Sequence, residues 1–244
     1  MYWNKEFGRY LEPFVGSGSL FYSINPANAI LGDINRDLVD CLQTIQKFPE
    51  AVYKKLTALP TGKRSYYKIR ATDPTGAKDR AARFLFLNRF CFNGLYRTNL
   101  NGQFNVPFAP TGTGKIPPRK VFLASARRLK NAKIECADFE MLVRRHAKRG
   151  DFVYFDPPYA VSARRIFTEY DSNVFGKKDL DRLVRLLHHL DKAKITWVLS
   201  YAYSKESLDA FGKWTQEKLF AQRNIAGFAK HRRKAAELLI SNRK

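Results

Sequence analysis

The sequence predicts an α/β fold: an open sheet with covering helices, and a basic segment of helices and a β-hairpin inserted between its two halves. Three observations predict it. Short apolar runs recur at Tyr10 to Val15, Ala29 to Ile34, Lys133 to Cys136 and Phe152 to Phe155, and the last three lead into or contain an acid, Asp33, Asp138 or Asp156. Between them lie stretches with apolar side chains at helical spacing, the alternation expected of strands joined by helices. Charge is also unevenly spread. The 244 residues carry a formal net charge of +22, yet residues 1–60 hold 6 basic and 6 acidic side chains, whereas residues 61–150 hold 20 and 5. A chain this long buries a sizeable core, and a basic middle rich in aromatics is the footprint of a nucleic-acid-binding surface rather than of a merely soluble face.

The first element is Tyr10-Leu11-Glu12-Pro13-Phe14-Val15, followed by Gly16-Ser17-Gly18-Ser19-Leu20-Phe21. This reads as strand, tight turn and helix start. Gly16 and Gly18 let a ligand approach the backbone closely, and the helix N-terminus offers free amides. The second strand ends at Asp33, placed to accept ribose hydroxyls or, alternatively, to cap the helix that begins near Arg36. The turn is too short for a phosphate cradle and lacks the third glycine of the dinucleotide fingerprint. A nucleoside without a pyrophosphate fits better, and S-adenosylmethionine is one.

Residues 36–58 read as helical, and Pro60-Thr61-Gly62 breaks the chain. The basic segment opens on a polar stretch bearing Tyr66 and Tyr67, then a helix runs from Ala81 to Asn88. Asn101-Gly102 signals a hairpin that presents Leu95, Arg97, Asn99 and Pro107. A two-stranded ribbon fits the major groove, where arginine pairs with guanine; a structural hairpin with a solvated Arg97 is the alternative. Thr111 to Lys115 reads as a phosphate-contacting loop.

From Pro117-Pro118 the chain returns to the core through a basic helix at residues 119–131 and a strand at Lys133 to Cys136. Asp138 either accepts from an adenine amine, with Phe139 packing on the ring, or simply caps the next helix. The strand at 152–155 runs into Asp156-Pro157-Pro158-Tyr159. The prolines lack amide hydrogens, so the carbonyls of Asp156 and Pro157 face outward as acceptors. With the Asp156 carboxylate they suit an amino group, and Tyr159 offers a face on which a planar base stacks. Residues 160–177, with Arg164, Arg165, Phe167 and Tyr170, form an irregular loop that orders with substrate. Leu180, Leu183, Leu186, Leu187 and Leu190 make a core-facing helix stripe. Ile195 to Ser200, Leu219-Phe220 and Leu238-Leu239-Ile240 complete the sheet, with the basic run Lys230 to Lys234 between the last two.

Cys41, Cys91 and Cys136 are far apart and four histidines form no ligand pattern, so free thiols and no structural metal are expected. No apolar run approaches a membrane span and Met1 to Glu6 lacks a signal core. A soluble, intracellular, DNA-associated protein without an obligatory protein partner is expected.

Glu12-Pro13-Phe14-Val15-Gly16-Ser17-Gly18, Asp33-Ile34-Asn35, the Asn88 to Phe108 block, Asp156-Pro157-Pro158-Tyr159 and Arg233-Lys234-x-x-Glu237-Leu238-Leu239 together resemble Dam-type DNA adenine methyltransferases, in that family's order. The hairpin block resembles the branch that recognises GATC. The resemblance implies a Rossmann-like, class I S-adenosylmethionine-dependent sheet at residues 1–60 and 119–244, with target recognition inserted at 61–118. It implies cofactor contacts at Glu12, Pro13, Phe14, Gly16, Gly18, Asp33, Asp138, Phe139 and Asp156, and catalysis by Asp156, Pro157, Pro158 and Tyr159 on adenine in double-stranded DNA. Leu95, Arg97 and Pro107 stand at base-reading positions and Phe92 at an intercalating one, where the branch commonly has tyrosine; Arg89, Asn93 and Asn99 flank them. Family members usually begin with a Lys-Trp-x-Gly-Gly-Lys segment that helps bind the methionine part of the cofactor. Nothing before Tyr10 matches it, so a catalytically weak or silent DNA-binding relative is the alternative. Methylation of an RNA base or a protein glutamine is a further class, against which the hairpin and the basic insertion argue.

Overall fold

The computed structural model describes residues 2–99, 101–109, 114–158, 175–222 and 234–243. The chain forms two compact units, Met1–Ile34 with Asn131–Lys244, and Asn35–Lys130. The helices at 36–58 and 119–128 pack within the second of these units. Short loops and shared apolar faces bind those helices to the segment they flank.

Among the described residues of the first unit, seven strands form one sheet: β1 (Tyr10–Glu12), β2 (Ala29–Asp33), β3 (Ala132–Cys136), β4 (Phe152–Phe155), β5 (Thr196–Ala202), β6 (Thr215–Gln222) and β7 (Lys234–Ser241). Their order is β3-β2-β1-β4-β5-β7-β6. The first five run parallel, with Tyr10 opposite both Ala29 and Phe152, whereas β7 lies antiparallel to β5 and to β6. All C-terminal ends of the parallel strands therefore open on one edge, at which the order reverses beside β1 and β4.

The helices of this unit are α1 (Ser19–Ile24), α7 (Phe139–His146), α8 (Lys177–Lys192) and α9 (Lys205–Phe211). The leucines of α8 interleave with Leu11, Val153, Phe155, Trp197 and Leu199 from three strands, and α7 adds Leu142 and Val143. Asp179 fixes the start of α8 by accepting from the Gly176 amide (3.1 Å). Arg9 Nε and Nη2 fork onto buried Asp151 at 3.0 and 2.7 Å, tying the start of β1 to that of β4. At the far side, Asp191 accepts from the indoles of Trp197 (2.9 Å) and Trp214 (2.7 Å) and from Asn242 (3.0 Å), which locks the β5, β6 and β7 hairpin region.

The second unit holds α2 (Arg36–Lys47), α3 (Pro49–Ala58), α4 (Lys63–Arg70), α5 (Ala77–Phe90) and α6 (Arg119–Arg128). The helix expected over 36–58 is two helices, broken where Pro49 at the first turn of α3 cannot donate to α2. The polar stretch with Tyr66 and Tyr67 is α4: Tyr66 is fully buried and its hydroxyl donates to Val106 O (2.9 Å). Leu56, Ile69, Ala82, Phe86 and Leu87 complete this core. No helix among the described residues is long and apolar enough to cross a membrane.

Candidate active site

The glycine turn after β1 is built around Asp33. Gly16 (φ 46°) and Gly18 (φ 67°) take the left-handed conformation, which glycine adopts without a Cβ penalty. The Val15 amide donates to Gly32 O (2.8 Å), the Gly18 amide to Val15 O (2.6 Å), and the Gly16 amide to Asp33 Oδ2 (3.0 Å). Asp33 thus steadies the turn, and the cap of α2 is Asn35, whose Oδ1 accepts from Leu38 (3.2 Å). The capping role expected as an alternative for Asp33 belongs to Asn35.

Asp138 does cap its helix. Its Oδ1 accepts from the amides of Glu140 (3.0 Å) and Met141 (3.3 Å) and from Arg182 Nη2 (2.6 Å). Arg182 also reaches Glu140 and Asp179 at 3.0 Å each and lies over the Phe139 ring. Phe139 stacks on Phe14, with centroids 5.1 Å apart. Pro13, Phe14, Asp33, Phe139 and Asp156 line a cavity of about 310 Å³, together with Ile34, Phe175 and Arg182. Of those last three, Phe175 ends the aromatic loop expected beside the site and Ile34 stands in the Asp33-Ile34-Asn35 stretch without an assigned role, whereas sequence reasoning missed Arg182. Ile34, 61% exposed directly after the acid of β2, carries the one readable signal: a large apolar side chain left in water where a strand ends on a cavity.

A second cavity of about 390 Å³ opens beside it, lined by Glu12, Gly16, Ser17, Ser19, Tyr154 and Asp156 among others. Asp156 is exposed and belongs to both cavities, Pro157 is buried and Pro158 exposed. Glu12 is 3% exposed, with the Tyr10 hydroxyl donating to its Oε2 (2.9 Å). Burial raises its pKa to about 8 against that hydrogen bond, and the negative charge of Asp156 adds to the rise. Tyr154, hydrogen-bonded to Ser200 (2.9 Å), is held up at about 12 by burial and by Asp156. Tyr159 and the aromatic loop after it lie outside the described residues, as do Thr111, Gly112, Thr113 and the basic run at 230–233.

In the second unit the chain reverses where the hairpin is expected, but the flanking strands do not form among the described residues and only isolated bridges join the two arms. Thr98 and Phe104 pair, as do Cys91 and Phe108, and the turn is organised by Asn99 rather than by Asn101-Gly102 alone. Asn99 Oδ1 accepts from the amides of Asn101 (3.1 Å) and Gln103 (2.9 Å), and its Nδ2 donates to Gln103 Oε1 (3.1 Å). The Phe92 amide donates to Pro107 O (2.9 Å), which brings those two side by side, and Arg97 Nε donates to Asn105 Oδ1 (2.8 Å). Arg89, Phe92, Asn93, Leu95, Arg97, Asn99 and Pro107 are all exposed.

A sheet of this order, with a reversed seventh strand, a glycine turn after β1 and an acid ending β2, defines a class I S-adenosylmethionine-dependent methyltransferase. The comparisons with known proteins narrow the class. The family model for D12 class N6 adenine-specific DNA methyltransferases matches residues 4–228, and the chain belongs to that family. It is 32% identical over 249 residues to the type II methyltransferase M1.LlaDCHI of Lactococcus lactis subsp. cremoris, covering 98% of this chain and 87% of that protein. Against the type II methyltransferase M.MjaIII of Methanocaldococcus jannaschii it is 35% identical over 258 residues, covering 96% and 88%. A DNA adenine methylase of Serratia marcescens is 32% identical over 237 residues, covering 94% and 87%. The chain is accordingly an adenine-specific DNA methyltransferase, and its methyl donor is S-adenosylmethionine.

The site fits that donor. Aromatic and aliphatic walls at Phe14, Ile34 and Phe139 are compatible with an adenine ring, and the carboxyl groups of Asp33 and Asp156 with ribose hydroxyls and a cationic sulfonium.

Proposed function

We propose that this enzyme methylates the exocyclic amine of an adenine turned out of duplex DNA, within GATC. The observation that carries the reading is the position of Asp156 at the junction of two cavities, where the nucleoside-binding side chains and Glu12 converge. S-Adenosylmethionine, when bound, supplies an electrophilic methyl group on a cationic sulfur. The chain's own part is to prepare the nucleophile. The adenine amine is a weak nucleophile because its lone pair is delocalised into the ring. Hydrogen bonds from its two N–H groups to the Asp156 carboxylate and the Pro157 carbonyl favour a tetrahedral nitrogen and free that pair. Their strength grows as positive charge develops on nitrogen, so they act mainly on the transition state. Tyr159 stacks on the extruded base.

Recognition is assigned to the ribbon: Arg97 to a guanine edge, Leu95 and Pro107 to neighbouring bases, and Phe92 to the space the base leaves. Arg89, Asn93 and Asn99 position the ribbon and its backbone contacts. The cofactor contacts are assigned to Glu12, Pro13, Phe14, Gly16, Gly18, Asp33, Asp138 and Phe139. The resemblance of the Asn88 to Phe108 block to the GATC branch and the shared exposure of these side chains support the assignment.

The test is transfer of a labelled methyl group to two short duplexes, one with GATC and one with the same bases scrambled. Incorporation into the first alone is the expected result. Equal incorporation would remove the GATC assignment, and none into either, with DNA binding intact, would make the chain a silent member of its family.

A further inference from the structure

The sheet of the first unit carries opposite charge at its two ends. Its C-terminal edge bears Asp33, Asp156 and Asp138, the last paired with Arg182. At the opposite edge Lys148 and Arg149 precede β4, Lys192 and Lys194 precede β5, Lys213 precedes β6 and Arg243 follows β7, all six exposed. Because β4, β5, β7 and β6 are neighbours in that order, these cations span three inter-strand spacings, about 14 Å. Lys194, Lys213 and Arg243 line one open cavity of about 450 Å³. None of the six joins an ion pair among the described residues. Nearby carboxylates are engaged: Asp151 is buried against Arg9, and Asp191 holds two indoles and Asn242. Exposed Asp209, four residues before Lys213, exposed Glu6, before β1, and exposed Glu217, early in β6, are the exceptions.

Cations beyond the end of a helix interact favourably with its dipole, but the effect fades within the last turn. Of the six, only Lys192 lies in one. Arg243 donates to Tyr2 O (3.2 Å) and lies over the Phe7 ring; the other cations have no internal partner among the described residues, and the macromolecule this enzyme meets is a polyanion. We propose that this edge holds the phosphate backbone of a second DNA segment, apart from the one at the catalytic edge. Arg149 and Asp156 are seven positions apart, at most about 23 Å of extended chain. Two segments held together would let the enzyme pass from one to the next before releasing the first, each phosphate contact expelling counterions.

The test uses the full chain bound to a short labelled duplex and challenged with rising concentrations of unlabelled duplex. In the native protein the dissociation rate should climb with competitor concentration. In a variant carrying Lys192→Gln, Lys194→Asn and Lys213→Gln it should stay at the dilution rate, while methyl transfer to a single short duplex is unchanged. The salt dependence of the transfer should weaken by about 3 in log–log slope, near one per cation removed. Should that variant fail to fold, Lys148→Gln with Arg149→Gln should reduce the same climb. A native rate independent of competitor, or variants that match the native protein, would overturn the proposal. So would acceleration by polyglutamate but not by DNA, which would assign the edge to an acidic protein.

Discussion

At the residue scale the chemistry rests on very few atoms. Asp156→Ala removes one of two acceptors for the amine, so methyl transfer should vanish while duplex binding in a gel-shift assay persists. Arg97→Ala should cost about 1–3 kcal/mol of discrimination between GATC and its single-base variants. Equal losses on all sequences would make Arg97 a phosphate contact. Glu12 makes a prediction about pH. Its folded-state pKa of about 8 exceeds the unfolded 4.5, so folding takes up a proton between those values. Its contribution to stability is therefore full below about pH 4.5 and is lost as pH rises through about 8. Glu12→Gln should flatten that decline, read from urea midpoints across the interval. Asp156 and Asp33, which line one cavity, could be singled out in the sequence because each stands at the end of a short apolar run. Arg182 was not: its charge is aimed by α8 onto α7, and a contact between two helices forty residues apart leaves no local pattern.

At the scale of elements, β2 and α7 meet at a glycine. A Cβ on Gly32 would stand 2.7 Å from Leu142 Cδ2 and 3.0 Å from its Cδ1, and Leu142 is fully buried. Gly32→Ala should destabilise the protein by about 1–3 kcal/mol through overpacking, seen as a lower urea midpoint at unchanged slope. Adding Leu142→Ala should recover part of the loss. The strand, glycine turn, helix and second strand over residues 10–35 could be read directly, because turn chemistry and apolar runs are both local. The α4 helix could not. Its sequence, KRSYYKIR, holds four cations in eight residues, and only Tyr66 and Ile69 face a core formed by partners distant in sequence. The hairpin shows the same limit, since Asn101-Gly102 announces a reversal but the side chain of Asn99 sets its shape.

At the scale of the whole molecule, the extent of the second unit is the feature that local patterns conceal most. Charge changes near residue 61, yet the compact unit begins at Asn35, because α2 and α3 carry balanced charge and bury their apolar faces within it. That arrangement has a kinetic consequence. β2 and β3 are parallel neighbours, with Ala29 opposite Ala132 and Asp33 opposite Cys136, so the whole second unit is the connection between them. Closing a flexible loop of that length costs roughly 4 kcal/mol in chain entropy. A unit that has already collapsed shortens the effective loop, and so its folding should precede the docking of β3. Phe86→Ala, which hollows the core of the second unit, should then slow the refolding signal of Trp197 in the sheet of the first. Leu186→Ala, beside that tryptophan in the sheet's own core, should chiefly hasten unfolding. The enzyme would thus assemble its catalytic sheet only after the insertion had formed.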